Sequence, residues 1–312
     1  MTLLHSVSYS GFWGQAPLTL DAFIDKAADL GFSGVMLMAK RPHLSVLDYD
    51  APRLAALREK IERRGLRHVV IAGYNDFTAG LDRPDIPHRE YQIAHVTDLC
   101  RMASALGSAP VRIFTGYEYP SHGYSQQWKL LVDTLRECSK RAADCGVTLG
   151  VQNHHDLAAG YETLHDLIQA VDHPNCRAMF DAWAPYLQGA DLKAAAKKMA
   201  PLNIHTTIAD YQRRPRYRYE ANVVNYLPAT PLVQAVPMGE GEIDYRGFLT
   251  ELRDGGFTGT IAYEMCSPLL HGSDMATLDS YAQRFLEFMS QVYSEESKPC
   301  LPMKPSQAAA TS

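Results

Sequence analysis

Gly146-Val147-Thr148-Leu149-Gly150-Val151-Gln152-Asn153-His154-His155-Asp156 is a short apolar run ending in five polar residues, each able to coordinate or hydrogen-bond. A buried parallel strand that delivers side chains to the open end of a sheet has this form. Two later stretches repeat it: Arg177-Ala178-Met179-Phe180-Asp181-Ala182-Trp183 and Thr260-Ile261-Ala262-Tyr263-Glu264-Met265-Cys266. A third, Asn203-Ile204-His205-Thr206-Thr207-Ile208-Ala209-Asp210, lies between them. Each carries a carboxylate, imidazole or amide on a hydrophobic strand.

Working outward, the whole chain alternates short apolar strands with amphipathic helices. Strands are expected at 5–10, 34–38, 67–72 and 111–114, and helices at 20–30, 51–64, 88–106 and 124–145. In the first helix Leu20, Phe23, Ile24, Ala27 and Leu30 share a face, and Gly31 stands at the C-cap. After the opening stretch come helix 161–171, strand 177–181, helix 191–199 and strand 203–208. A long loop, 211–240, precedes helix 244–254, strand 259–264 and helix 275–293. Such alternation argues for a parallel sheet with helical crossovers, and eight units favour a closed (β/α)8 TIM barrel. Ser10-Gly11-Phe12-Trp13-Gly14 is a poor version of a dinucleotide-binding turn, which counts against a doubly wound sheet. The expected organisation is one α/β barrel domain over residues 1–296. Residues 297–312, which are small, polar and Pro-containing, read as a disordered C-terminal tail.

Hydrophobic residues make up 46% of the 312 and charged ones 21%, fitting a globular chain with one large core. A net charge of −5 offers no global field for nucleic acid. No apolar run approaches the roughly eighteen residues of a membrane span. The N-terminus lacks the basic-then-apolar pattern of a signal peptide. Six cysteines at 100, 138, 145, 176, 266 and 300 form no CxxC pair, and read as reduced thiols of a cytoplasmic protein.

Gln152, Asp181, His205 and Glu264 supply two carboxylates, one imidazole and one amide oxygen to a barrel mouth. That set suits a divalent ion: Mn²⁺ first, then Mg²⁺, Co²⁺ or Zn²⁺. Such an ion would polarise a carbonyl and stabilise an enediolate as a proton leaves the adjacent carbon. Glu264 is the candidate base. His154, on the Gln152 face by strand alternation, is the candidate proton shuttle.

The chain resembles the xylose-isomerase-like barrel superfamily of sugar-phosphate isomerases and epimerases, ketose 3-epimerases, inosose-pathway enzymes and endonuclease IV. The resemblance spans residues 5–293. It is carried most specifically by Val236-Pro237-Met238-Gly239-Glu240-Gly241-Glu242-Ile243-Asp244-Tyr245 and by Gly256-Phe257-Thr258-Gly259-Thr260-Ile261-Ala262-Tyr263-Glu264. It implies four metal ligands from strands five to eight, usually Glu, Asp, His and Glu, mapping to Gln152, Asp181, His205 and Glu264. Two departures matter. An amide stands where many members have a base, and it takes no proton at neutral pH, which speaks against a symmetric two-glutamate epimerisation. The place where the family often has histidine holds Thr207, with His205 two residues earlier on the same face.

The segment 211–220 concentrates four arginines with three tyrosines. It reads either as a solvated basic loop or as a cover in which Arg214 and Arg216 hold a phosphate or carboxylate. His43, Tyr74, Asn75 and Trp183 are candidate substrate-binding residues. The first expectation is therefore a metal-dependent isomerase or epimerase acting on a keto sugar, sugar phosphate or polyol derivative. The second is a lyase eliminating from a 3-keto glycoside or inosose. A third, of another class, is a metal-free sugar-binding or partner subunit. The expected partner is a small carbohydrate, without nucleic acid or membrane, and assembly into a homo-oligomer is left open.

Overall fold

Side chains alternate across a strand, so a strand covered on both faces needs two apolar sets. The computed structural model, which describes residues 1–267 and 269–294, shows both. The expected tail and Cys300 lie outside the described residues, and the five described cysteines are free thiols.

Eight parallel strands form the barrel wall: β1 (Thr2–His5), β2 (Gly34–Met38), β3 (His68–Ala72), β4 (Val111–Ile113), β5 (Leu149–Gln152), β6 (Cys176–Met179), β7 (His205–Ile208) and β10 (Thr260–Tyr263). Their order is β6-β5-β4-β3-β2-β1-β10-β7. The seam between β6 and β7 is spanned by the bridge Ala178↔Asn203, where the Ile204 N–H donates to the Ala178 carbonyl at 2.9 Å. Leu3, Met36, Val70, Ala72, Met179 and Ala262 fill the inside. The outward set, including Leu4, Val35, Ile71, Val111, Ile113 and Ala178, packs under the helices. Gly150 makes room inside, since a Cβ there would meet Met179 Cγ at 2.3 Å.

The helices are α1 (Leu20–Asp29), α2 (Ala51–Arg63), α3 (His88–Ala105), α4 (Tyr124–Asp144), α5 (Tyr161–Val171), α6 (Trp183–Leu187), α7 (Leu192–Met199), α8 (Tyr245–Asp254) and α9 (Met275–Ser294). Thr19, Asp50, Asp191 and Asp244 accept first-turn N–H groups of α1, α2, α7 and α8, which satisfies donors the helix cannot. Gly31 follows α1 at φ +92°, the left-handed conformation expected of it.

Two expectations are corrected. The first strand ends at His5, not at residue 10, because the Val7 N–H donates to His5 Nδ1 and turns 6–9 into a 3-10 helix. The segment 211–240 is not a loop. It forms an antiparallel ribbon of β8 (Asp210–Glu220) and β9 (Asn225–Val236), with a register shift at Pro215. Its root is fixed by Asp210 Oδ2, which accepts the N–H groups of Gly239 and Gly241 at 2.9 Å. Glu242 also accepts from the Arg213 backbone and guanidinium. Beyond the root most ribbon side chains are exposed, so pairing across the ladder holds it rather than a core.

Among the described residues no helix is long and apolar enough to cross a membrane.

Candidate active site

The barrel's inner positions turn polar towards the C-terminal strand ends, where active sites of this architecture sit. Gln152, Asp181, Thr207 and Glu264 border one cavity of about 160 Å³, walled by Trp183 and Tyr211. Sequence reasoning missed the residue that ties them together. Arg112 lies in the middle of β4, 1% exposed, with its guanidinium inside the barrel. Nη1 donates to Gln152 Oε1 at 2.9 Å and Nη2 to the Gly73 carbonyl at 3.0 Å. Nη1 also stands 3.9 Å from Glu264 Oε1. The ring faces of Phe114 and Tyr74 lie 4.2 and 4.8 Å from the guanidinium carbon, and desolvated contacts of this kind contribute about 2 kcal/mol. A signal was present: an arginine between Val111 and Ile113 in a three-residue buried strand is anomalous, since Arg is almost never buried unless paired.

Gln152 passes this order on. With its oxygen committed to Arg112, its Nε2 donates to Asp181 Oδ2 at 2.6 Å and to Thr207 Oγ1 at 3.0 Å. Burial, and then the Glu264 charge, push the Asp181 carboxyl up to about 7, against the pull of the Gln152 and Thr207 hydrogen bonds. Glu264 is raised by burial too, while the Arg112 charge acts in the opposite sense. Its carboxylate is 14% exposed. On its other side His5 Nε2 stands 3.6 Å from Oε1. Because His5 Nδ1 accepts from Val7, the ring proton belongs on Nε2, facing Glu264. Burial and the Arg112 charge keep His5 neutral.

The other expected residues divide. His154 and Trp183 line the cavity. The His154 ring packs at 4.5 Å on Phe114 and 5.0 Å on His155. Trp183 packs at a tilt against Tyr211 at 4.6 Å and stacks on Tyr186 at 6.0 Å. Tyr74 lies beside Arg112 and beneath Lys40, whose Nζ stands 4.0 Å from the ring centre. His205 is inside but deep: it opens β7, about 7 Å below Thr207 at 3.3 Å per residue. Its Nδ1 is 2.7 Å from Thr260 Oγ1, and burial and then Arg112 lower its pKa to about 3. Asn75 is an inter-strand clamp, donating to the Phe114 carbonyl at 2.8 Å and accepting the Phe114 N–H at 2.9 Å. His43 is buried against Phe23, with Nε2 3.0 Å from the Leu18 carbonyl. Arg214 and Arg216 sit on β8; neither lines the cavity.

The description xylose isomerase-like TIM barrel matches residues 24–288. The chain belongs to this family. Among curated members it is similar to an inosose dehydratase of Erwinia tasmaniensis, 25% identical over 77% of this chain and 80% of that protein. It is also similar to a fructoselysine 3-epimerase of Escherichia coli O157:H7, 21% identical over 88% and 94% of the two chains. A solved D-psicose 3-epimerase from Clostridium cellulolyticum H10 superposes with a TM-score of 0.70 at 18% identity, covering 93% and 98%.

Membership raises the divalent ion again, and the residues present do not fit it. The Gln152 oxygen is taken by a guanidinium, and its amino group points at Asp181. A doubly charged ion about 4 Å from that guanidinium would be opposed by roughly 8 kcal/mol at an effective dielectric of about 20. Among the described residues no three His, Cys, Asp or Glu side chains come together as a metal-holding group.

Proposed function

We propose that this family member is an enzyme that removes a proton from the carbon beside the carbonyl of a keto sugar, sugar phosphate or cyclic polyol ketone. The observation that carries this reading is the pairing of Glu264 and Asp181 on one cavity, with a fixed cation beside only one of them. Two acids in unlike surroundings divide the work of base and acid. Arg112 favours the charged form of Glu264, which is the base. Asp181, partly protonated near neutrality, returns a proton to the enolate oxygen or to a departing hydroxyl. Trp183 and Tyr211 offer ring faces to the sugar's C–H surface. His154, kept neutral by burial and then by the Arg112 charge, lines the same cavity and offers the substrate a hydrogen bond.

With Gln152 in place of a second base, single-face isomerisation or elimination is favoured over two-sided epimerisation. The dehydratase reading, loss of water from the enediolate, is supported by this single-base arrangement and by the likeness to an inosose dehydratase. Incubation with candidate keto sugars and inososes in D₂O tests both. Deuterium entering the carbon next to the carbonyl reports proton abstraction, and a product lighter by one water reports elimination. Absence of both from every substrate class named would sink the reading.

A further inference from the structure

The acids of the mouth already have a cation. Arg112 is held from three sides, by the Gln152 oxygen, the Gly73 carbonyl and the faces of Phe114 and Tyr74. It is fully buried on a three-residue strand. Its Nη1 faces the space between Gln152 and Glu264, two of the four side chains expected to share an ion. Of the other two, Asp181 takes the Gln152 and Thr207 hydrogen bonds on Oδ2, and His205 sits a layer lower on Thr260. Lys40, with no carboxylate partner among the described residues, places a second positive charge over the Tyr74 ring.

We propose that Arg112 is the resident cation of this mouth and that its guanidinium keeps divalent ions out, so the protein works without one. It acts as a positioning residue: it spends the Gln152 oxygen, turns the Gln152 amino group towards Asp181, and sets a permanent positive charge beside Glu264. Fixed as a covalent part of the chain, this charge cannot be lost to chelators or exchanged between metals. The reading of the cavity as a proton-abstraction site motivates the inference, but its test does not pass through catalysis. If no substrate exchanges deuterium, the cation assignment still stands or falls on the ion titration alone.

The experiment is titration of the chelator-treated full chain with Mn²⁺, following the free ion by its electron paramagnetic resonance signal and the fold by its Tm. For the wild type the free-ion signal should track the added ion, and the Tm should not move. Arg112→Met frees the Gln152 oxygen to join Asp181 and Glu264, and should take up Mn²⁺ on these three and gain Tm with it, an uptake abolished by adding Asp181→Asn. Arg112→Lys, which keeps the charge, should behave as the wild type. Wild-type uptake that Asp181→Asn removes would overturn the proposal whatever the Arg112 variants do. So would a folded Arg112→Met that takes up no ion, or an Arg112→Lys that takes up as much as Arg112→Met.

Discussion

Arg112 Nη1 donates to Gln152 Oε1 across 40 residues of sequence at 2.9 Å, and this bond decides which way the amide faces. An amide is a donor on one side and an acceptor on the other. Once its oxygen is committed, its nitrogen must find acceptors, and these are Asp181 Oδ2 and Thr207 Oγ1. The site is therefore a relay from cation to amide to acid, with Glu264 alongside the cation.

Glu264→Gln keeps the shape of the side chain and removes the base. Deuterium incorporation beside the carbonyl of an accepted substrate should fall about 10²–10⁴-fold, the usual worth of a positioned base. Far-UV circular dichroism should be unchanged. An exchange rate within twofold of the wild type would remove Glu264 from the role.

Asp181 makes stability depend on pH. Its folded pKa, about 7, lies above the ordinary 3.8, so the fold holds the proton more tightly than the unfolded chain does. The stabilisation is complete below about pH 4 and is lost as pH rises to about 7. At about 1.4 kcal/mol per pKa unit it amounts to roughly 4 kcal/mol at most. Urea unfolding across this window should show a downward slope that Asp181→Asn flattens; an unchanged slope in the variant would contradict the assignment.

Asn75→Leu tests a residue whose place is structural. It breaks two hydrogen bonds to the Phe114 backbone and leaves a buried N–H and C=O unmet. A loss of about 2–4 kcal/mol in urea unfolding is expected, at about 1–3 kcal/mol per stranded group offset by partial relaxation. The KM of the surviving folded enzyme should move less than about threefold, below the tenfold that 1.4 kcal/mol of binding would give.

Replacing ribbon residues 214–232 by a short turn should leave the barrel intact. Arg213, Asp210 and Glu242, which anchor the root, are kept, and the excised side chains are mostly exposed. The Tm should change by less than about 4 °C, the equivalent of about 1 kcal/mol in a domain this large. A larger fall would show that the ribbon packs on the barrel more than its exposure indicates.

The sequence by itself determined the barrel. Short continuous apolar runs alternating with 3.6-period helices are local patterns, written in consecutive residues, and eight of them leave few ways to close a sheet. It also determined that Gln152, Asp181 and Glu264 would reach the mouth, because the end of a buried strand is marked by the first polar residues after it. The ribbon was hidden by its composition, since Pro215, Pro228 and Pro231 among arginines resemble a solvated loop and ladder pairing leaves no apolar stripe. Only the tertiary structure decided the charge balance. Arg112 lies 40 residues from Gln152, and Gln152 lies 29 from Asp181. Which polar side chains meet inside the barrel depends on strand register and on the height of each along its strand. That is why His205 sits low on Thr260 and Arg112 stands between Gln152 and Glu264.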